Sequence, residues 1–293
     1  MTSRVLILGS GGQLGVELTR EFACRNYDVI GCPRAEIDIT DSLKVEEKVA
    51  ALEPTVVVNS AALNPVDPAE KDPSAAMQVN GLGVRNLAEA CRKIDARLVH
   101  FSTDYVFDGT KGVPYLEDDA PHPLGAYGVS KLAGEFYARA YLDRPLIIRT
   151  SAVFGVGGLH TARGNFIELM LRLAKSGQTL RVVEDQVASP TYAPVLAART
   201  ADLVEKHAHG VFHAGGGTPI SWFEYAKTIF ELAGLTPELL PISQNQNRAA
   251  ARRPQYSALS NARMESLGLA PFPPLETALR SYLESRKGEL PKA

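Results

Sequence analysis

The sequence predicts an α/β fold in which a doubly wound parallel sheet is followed by a smaller C-terminal lobe. Three observations predict it. Short β-branched runs alternate with longer amphipathic stretches, the runs are apolar almost throughout, and a glycine-rich turn follows the first of them. Strands without a polar face need helices on both sides, as in parallel sheets built from βαβ units. The predicted arrangement is therefore Rossmann-like.

The individual elements follow from the same periodicity. Helices are expected after the first strand to about residue 26, through residues 45–52, and from the third strand to residue 94. Seven runs are predicted to be strands of one sheet: residues 5–8, 28–32, 56–59, 98–102, 146–150, 180–183 and 211–214.

The domain organisation is predicted from a change in pattern near residue 150. Beyond it, glycines and prolines divide the chain into short pieces, which is typical of an inserted lobe. We expect residues 1–154 to form the main domain, with the strands near 180–183 and 211–214 returning to it. Residues 155–178 and 215–285 are expected to form the lobe above the carboxyl ends of the strands, where open α/β sheets bind ligands.

The composition excludes several classes of protein. A net charge of −2 over 293 residues provides no basic field for a nucleic acid. Three cysteines without a CxxC pair argue against a disulfide framework and a thiolate metal site, and they favour a reducing cytoplasm. The first residues read as a strand that enters glycines, not as a signal peptide, and no apolar run reaches membrane-spanning length. We therefore expect a cytoplasmic protein with no nucleic-acid or membrane partner.

The glycine turn lies between the first strand and the first helix. Gly9, Gly12 and Gly15 allow a tight turn, a close approach of the backbone to a pyrophosphate and close packing of helix on strand. Gln13 and Leu14 begin the helix, whose N-terminus offers free N–H groups and the positive end of its dipole. This context predicts a dinucleotide site.

The end of the second strand indicates which dinucleotide binds. An acidic residue there holds the ribose 2′-hydroxyl in proteins that prefer NAD, whereas this chain has Arg34. A guanidinium suits a 2′-phosphate, so NADPH is favoured and NADH is the second choice. In the alternative interpretation, Arg34 is a solvated loop charge, and Glu36 or Asp38 holds the ribose.

A candidate catalytic group follows the fourth strand. Tyr127 and Lys131 are four residues apart, so they share one face of a helix. A nearby ammonium favours a phenolate and is expected to lower the pKa of Tyr127 toward the working range of an acid. Thr103 ends the fourth strand, at the sheet edge where such folds carry out chemistry, and can hydrogen-bond a substrate carbonyl.

These motifs together resemble the extended short-chain dehydrogenases/reductases, and within them most closely the dTDP-4-dehydrorhamnose reductases. The resemblance rests on the glycine turn, the segment 102–109 and the Tyr127/Lys131 pair, and it extends over nearly the whole chain. It includes residues 66–70, 165–166, 170–175, 185–186, 190–191, 253–254 and Ser257.

The resemblance implies an NADPH-dependent reductase that acts on the 4-keto group of a nucleotide-linked deoxysugar. It also implies that the lobe binds the substrate. A homodimer is expected. The implied catalytic residues are Thr103, Tyr127 and Lys131. The implied cofactor-binding residues are Gly9, Gly12, Gln13, Leu14, Gly15, Arg34, Asp38, Ile39, Ser60, Ala61, Ala62, Asn80, Tyr127 and Lys131. The implied substrate-binding residues are Thr103, Asp104, Ala152, Asn165 and Arg253.

The sequence departs from the family pattern at Ala152, where a tryptophan is usual, and at residues 63–64 and 188–189. The departure at Ala152 predicts more room in the sugar pocket. His207, His209 and His213 are not expected to bind a metal, because they straddle a helix end and a strand and have no carboxylate or cysteine at ligand spacing.

Two other functions remain open from the sequence. A regulatory subunit that resembles the β subunit of methionine adenosyltransferase would bind a dinucleotide without catalysis. An epimerase or dehydratase of the same superfamily would recycle its hydride. The complete set of Thr103, Tyr127 and Lys131 favours an enzyme, and the single acid in residues 103–105 disfavours a dehydratase, which usually has an acidic pair there.

Overall fold

A computed structural model describes residues 3–161, 164–246 and 249–289 of the chain. Residues 1–2 of the predicted main domain, and residues 162–163 and 247–248 of the predicted lobe, lie outside the described residues. None of the helices in the described ranges is long and apolar enough to cross a membrane.

The central sheet is parallel and confirms the predicted doubly wound architecture. It has six strands in the order β2-β1-β3-β4-β5-β8. These strands are β1 (Arg4–Leu8), β2 (Asp28–Cys32), β3 (Val56–Asn59), β4 (Arg97–Thr103), β5 (Leu146–Thr150) and β8 (Gly210–Ala214). Every pairing between them is parallel, and the order reverses beside β1, which creates the crevice where such sheets bind dinucleotides.

Helices cover both faces of this sheet. The helices of the main domain are α1 (Gln13–Cys24), α2 (Ser42–Leu52), α3 (Val66–Lys71), α4 (Pro73–Met77), α5 (Gly83–Lys93), α6 (Ala126–Tyr141) and α8 (Ala193–Glu205). Val5 and Ile7 pack with α1 and α8 on one face, whereas Leu6 and Leu8 pack with α2 and α5 on the other. The predicted helix that ends at residue 94 is divided into α3, α4, a π-helical turn (Gln78–Leu82) and α5.

The remaining elements form a smaller unit with its own apolar core. They include α7 (Phe166–Ala174), β6 (Leu180–Val183), β7 (Val187–Ala188), β9 (Ile220–Ser221), α9 (Trp222–Ala233), β10 (Leu239–Ile242), α10 (Ala262–Ser266) and α11 (Leu275–Glu289). Tyr225, Ile229, Leu279 and Tyr282 are buried where α9 and α11 meet. Residues 222–224 begin α9.

The prediction that residues 180–183 return to the main sheet is wrong. This strand, β6, pairs with β10 in a separate two-stranded sheet, whereas residues 211–214 do join the main sheet as part of β8. Within β6, Leu180 and Val182 are buried and Arg181 is exposed. An alternating strand has one solvated face, so it cannot lie in a parallel sheet that is covered on both faces.

A buried ion pair fixes α6 against the sheet. Arg149 on β5 donates two hydrogen bonds to the carboxylate of Glu135 on α6, at 2.9 and 2.8 Å, and both side chains are at most 4% exposed. Ser102 on β4 donates to the same carboxylate at 2.5 Å. One carboxylate therefore connects two strands to the helix.

We predict that Arg149→Met destabilises the protein by about 3–5 kcal/mol, because it leaves a buried carboxylate without its counter-charge. The double variant Arg149→Met/Glu135→Leu should lose less stability than the single variant, because it buries no unpaired charge. Urea unfolding measures both. Lys93→Met, which breaks an exposed pair with Glu46, is the control and should cost less than about 1 kcal/mol. If Arg149→Met also cost less than about 1 kcal/mol, the prediction would be contradicted.

Candidate active site

The glycine turn lies at the carboxyl end of β1, and backbone packing explains two of its glycines. Gly9 has φ +73°, and a Cβ atom there would lie 2.9 Å from the backbone nitrogen of Ala61. A Cβ atom on Gly15 would lie 2.2 Å from the carbonyl oxygen of Gly9. Gly12 precedes α1, and no described side chain caps this helix end. The free N–H groups of α1 are therefore available to an anion.

Gln13 connects this turn to the smaller unit. Its Nε2 donates to the carbonyl of Val153 at 2.6 Å, and its Oε1 accepts from Nδ2 of Asn165 at 3.1 Å. Leu14 packs against the apolar core instead. The backbone of Gln13 thus begins α1, while its side chain anchors the segment after β5.

Asn165, predicted from the resemblance to bind substrate, holds elements together in the structure. Its Oδ1 accepts from the backbone of Glu168 at 3.0 Å and so caps α7. Its Nδ2 donates to Gln13 and, at 3.1 Å, to the hydroxyl of Tyr282 on α11. These contacts connect the glycine turn with two helices of the smaller unit and do not include Thr103 or Tyr127.

The loop after β2 presents Arg34 to solvent. The Arg34 side chain is 82% exposed, and it contacts Asp38 at 3.3 Å. Asp38 accepts hydrogen bonds from the backbone and hydroxyl of Thr40, and these bonds lower the pKa of its carboxyl. Ile39 is buried against Gly83. Arg34 is therefore an exposed cation of this loop, whereas the Asp38 carboxylate is ionised and held by Thr40.

The segment after β3 lies against the glycine turn. Ser60 donates to the carbonyl of Leu8 at 2.6 Å, and Ala61 donates to the side chain of Asn59 at 3.1 Å. Ala62 follows as a half-buried residue of the same irregular segment. This segment forms the second wall of the crevice beside β1.

Asn80 braces the site from the π-helical turn. Its Oδ1 accepts from the backbone of Leu63 at 2.8 Å. Its Nδ2 donates to the carbonyl of Leu63 and to the hydroxyl of Ser130, both at 3.0 Å. The buried amide thereby joins the segment after β3 to α6, the helix that carries Tyr127 and Lys131.

Tyr127, Lys131 and Thr103 come together at the carboxyl edge of β4. Lys131 is 3% exposed, and its Nζ donates to the carbonyl of Phe101 at 2.5 Å. Thr103 lies beside Tyr127, and its hydroxyl acts to lower the pKa of the phenol. The ring of Tyr105 packs edge-on against that of Tyr127, with the centroids 5.8 Å apart. Glu70, on α3, accepts from the backbone of Ala126 at 2.9 Å and so caps this helix.

The pKa values of the pair differ from the expectation. Burial, together with the charge of Asp104, raises the pKa of Tyr127 to about 12, although the Thr103 hydroxyl acts in the opposite direction. Burial lowers the pKa of Lys131 to about 8, against the effect of Glu135. The expected net lowering of the phenol pKa is therefore wrong for this arrangement, because the effect of burial is the largest. At pH 7, Tyr127 is a protonated phenol.

Asp104 is buried behind Thr103. Its Oδ2 accepts from Ser151 at 2.8 Å and from Ser257 at 2.5 Å, and its Oδ1 accepts from Thr103 at 3.1 Å. Burial raises the pKa of this carboxyl to about 6, although the three hydrogen bonds lower it. Ser257 comes from the C-terminal part of the chain and approaches the catalytic edge of the sheet at this point.

Arg253 and Ala152 are two further residues that were predicted to bind substrate. Arg253 contacts Asp67 at 2.6 and 3.3 Å, which lowers the pKa of the Asp67 carboxyl, and it also lies beside Tyr105. Ala152 has φ +43° and follows Ser151 directly after β5. Its carbonyl accepts from the backbone of Thr191 at 3.4 Å.

His207, His209 and His213 lie in β8 or in the segment between α8 and β8. His213 lies in β8, where its Nδ1 is 3.0 Å from the carbonyl of Tyr115. His207 has φ +52° just beyond α8, and His209 precedes β8. Among the residues with described coordinates, no three His, Cys, Asp or Glu side chains form a group that could hold a metal ion.

Several site residues were not predicted in their observed roles. Ser151 and Ser257 bond Asp104, Glu70 caps α6, and the Phe101 carbonyl binds Lys131. Glu70 and Ser257 lie in motifs that carried the family resemblance, and this was the one available signal for them. A backbone acceptor such as Phe101 has no side-chain signature in a sequence.

Comparison with known proteins agrees with this geometry. The family model described as "RmlD substrate binding domain" matches residues 3–287. The chain is 40% identical over 284 residues to the spore coat polysaccharide biosynthesis protein SpsK of Bacillus subtilis, covering 97% of this chain and 98% of the relative. It is 40% identical over 276 residues to a dTDP-4-dehydrorhamnose reductase of Streptomyces griseus, covering 92% and 89% of the two chains.

A solved structure shows the same fold. The dTDP-4-dehydrorhamnose reductase of Bacillus anthracis, in complex with NADP, superimposes with a TM-score of 0.92 at 35% identity, covering 97% of this chain and all of that one. The predicted resemblance is thereby confirmed over nearly the whole length. The chain belongs to the RmlD substrate binding domain family, whose members among its relatives include dTDP-4-dehydrorhamnose reductases.

Proposed function

We propose that this protein is an oxidoreductase that uses NADPH to reduce the 4-keto group of a nucleotide-linked deoxysugar. The observation that carries the proposal is the protonated phenol of Tyr127, which lies beside Thr103 and Lys131 at the same sheet edge as the glycine turn. The relatives that are named dTDP-4-keto-6-deoxy-D-glucose reductase and dTDP-4-dehydrorhamnose reductase support it.

The residues of the crevice fit a phosphorylated dinucleotide. The uncapped N-terminus of α1 suits a pyrophosphate, and the backbone packing at Gly9 and Gly15 allows it to approach closely. Arg34 is exposed and can turn toward a 2′-phosphate. When bound, NADPH supplies a hydride for the carbonyl carbon.

The side chains on α6 provide the proton and the charge for the second half of the reaction. Tyr127 donates its phenolic proton to the carbonyl oxygen, on which negative charge develops as the carbon accepts hydride. Lys131, with a pKa of about 8, is mostly an ammonium at pH 7. Its positive charge stabilises the phenolate that remains on Tyr127 after proton transfer.

The implied substrate residues divide into two groups. Thr103 and Ala152 are proposed to line the pocket of the sugar. Arg253 reaches the pocket beside Tyr105 while it is paired with Asp67. We assign Asn165 to holding the walls of the pocket, because its hydrogen bonds go to Gln13, Glu168 and Tyr282.

The two alternative functions are disfavoured. A regulatory subunit has no need for a buried lysine and a tyrosine at a dinucleotide crevice, and both are present here. An epimerase or dehydratase would take a hydride from its sugar, return it, and so regenerate its oxidised nucleotide with no net consumption of NADPH. Net consumption of NADPH therefore separates a reductase from both alternatives in one assay.

We also propose that the protein is a cytoplasmic homodimer. Its cysteines Cys24, Cys32 and Cys91 are free, as expected in a reducing compartment. Val129 and Phe136 on α6 are 45% and 56% exposed and two helical turns apart, so they provide an apolar face for a second copy. Light scattering after size-exclusion chromatography measures the mass of the particle in solution, which for a homodimer is twice the mass of one chain.

We predict that Tyr127→Phe lowers turnover by about 10²–10⁴, the usual contribution of a positioned acid, because it removes the proton donor and keeps the ring. The assay is NADPH consumption with a dTDP-4-keto-6-deoxy sugar. Binding of NADPH, titrated separately, should remain close to native. Tyr137→Phe removes a hydroxyl from the same helix and should keep native turnover. Near-native turnover of Tyr127→Phe would exclude this residue as the acid.

We predict that the native protein binds NADPH more tightly than NADH and that Arg34→Ala removes most of the difference. A hydrogen bond to a charged group contributes about 1.5–3 kcal/mol, or about ten- to a hundredfold in Kd. Fluorescence titration of both nucleotides measures this difference. Lys44→Ala removes another exposed cation, 70% exposed, and should leave the preference intact. Equal affinities of the native protein for the two nucleotides would refute the assignment of Arg34.

We predict that Ala152 allows the site to accept sugars bulkier than 4-keto-rhamnose, and that Ala152→Trp restricts it to the smaller sugar. The test compares kcat/KM across a panel of nucleotide-linked 4-keto sugars. Ala152→Gly is the control, because glycine suits the φ of +43° and leaves the space open, so the broad range should persist. A native enzyme with strict selectivity for one sugar would count against this prediction.

A further inference from the structure

The side chain of Ser10 lies at the carboxyl end of β2, inside the glycine turn. The backbone nitrogen of Ser10 is 3.4 Å from the carbonyl oxygen of Cys32, which also accepts from Gly9 at 2.9 Å. A Cβ atom on Gly31 would lie 3.0 Å from the Cβ atom of Ser10 and 3.2 Å from its Oγ. The Ser10 hydroxyl therefore packs over the backbone of Gly31, and main-chain contacts hold it there.

This hydroxyl has no hydrogen-bond partner among the residues that the structure describes, although Ser10 is half-buried. Two neighbouring hydroxyls are already in use. Thr19 donates to the carbonyl of Gly15 at 2.8 Å, and Ser60 donates to the carbonyl of Leu8 at 2.6 Å. Ser10 thus keeps a hydrogen-bond donor that a ligand can use.

Arg34 and Asp38 are charged groups just beyond the same strand end. Pro33 comes directly before Arg34, and a Cβ atom on Gly11 would lie 3.9 Å from the Cβ atom of Pro33, so the glycine turn borders this loop. The Arg34 side chain is exposed and contacts the carboxylate of Asp38 at 3.3 Å. Asp38 therefore competes with an anionic ligand for the guanidinium, whereas nothing described competes for the Ser10 donor.

We propose that Ser10 is a specificity-determining residue whose hydroxyl donates to the 2′-phosphate of NADPH, together with Arg34. This inference rests on the proposed function, in which the crevice beside β1 binds NADPH. Folds of this kind hold the adenosine ribose at the end of the second strand. Ser10 supplies a donor fixed by the backbone at that place, and Arg34 supplies charge from an exposed loop.

The chemistry of a serine hydroxyl favours the phosphorylated nucleotide. A hydrogen bond to an ionised acceptor is stronger than one to a neutral acceptor, so the same donor gains more from a phosphate than from the ribose hydroxyl of NADH. A hydroxyl at position 10 also brings no negative charge to the strand end. A carboxylate there would repel the phosphate and accept from the ribose hydroxyl instead.

Nucleotide titration of Ser10→Ala tests the inference without turnover. The native protein and the variant are titrated with NADPH and NADH by fluorescence, and with adenosine 2′,5′-bisphosphate by calorimetry. We expect the Kd values of NADPH and of the bisphosphate to rise by about three- to tenfold, the contribution of one net hydrogen bond. The Kd of NADH should stay close to native, because NADH has no 2′-phosphate.

Two further variants sharpen the comparison. Thr19→Val is the matched control, because it removes a hydroxyl that also borders Gly31 but already donates to Gly15, and it should keep the native ratio of the two Kd values. Ser10→Asp places a carboxylate at the strand end and should lower the preference for NADPH further than Ser10→Ala does. Damage to the glycine turn would weaken both nucleotides alike and leave the ratio unchanged.

Phosphorus NMR of bound NADP⁺ identifies the phosphate that Ser10 contacts. In the Ser10→Ala complex at constant pH, the resonance of the 2′-phosphate should move from its native position. The two pyrophosphate resonances should stay in place. If only the pyrophosphate resonances moved, Ser10 would belong to the pyrophosphate site and the inference would be overturned.

The outcomes also separate the inference from the proposed function. If the native protein binds neither nucleotide, or consumes neither with any nucleotide-linked 4-keto sugar, the reductase function fails. If it binds and consumes NADPH but Ser10→Ala keeps the native Kd ratio, the reductase stands and the inference is overturned. If Ser10→Ala does not fold, a native ratio in Ser10→Asp overturns the inference in the same way.

Discussion

The catalytic arrangement depends on the buried carboxylate of Glu135. Arg149 on β5 and Ser102 on β4 both donate to it, so the rotation and height of α6 relative to the two strands are determined at one point. Lys131 lies one helical turn before Glu135 and Tyr127 two turns before it, on the same face. Because the helix is rigid, the ion pair places the ammonium beneath the Phe101 carbonyl and the phenol beside Thr103.

This constraint also explains how acidity is distributed in the site. Burial favours the neutral form of each group, which raises the pKa of Tyr127 and of Asp104 and lowers that of Lys131. The phenol therefore keeps its proton at neutral pH, as a reduction requires. In the proposed reaction, the ammonium stabilises the phenolate that forms when Tyr127 gives up its proton.

Much of the fold and the chemistry was predictable because their signals are local. The glycine turn, the apolar strands and the Tyr127/Lys131 spacing each depend on residues close in sequence. The partner of β6 was predicted wrongly, although the exposed Arg181 between two buried residues already indicated a one-sided strand. The hydroxyls around Asp104 could not be found, since Ser257 is 153 residues away in sequence. The direction of the Tyr127 pKa also depends on burial, which a spacing of four residues does not report.

Gln13 has two structural roles, and together they limit which residues can replace it. Its backbone opens the helix that is proposed to face a pyrophosphate, while its side chain donates to Val153 and accepts from Asn165. Glutamate would keep the acceptor, lose the donor and add a negative charge beside a bound anion. Leucine would remove the donor to the Val153 carbonyl and one of the acceptors of the Asn165 amide. Mutational tolerance at this position should therefore be as narrow as at the neighbouring glycines, for a reason unrelated to backbone conformation.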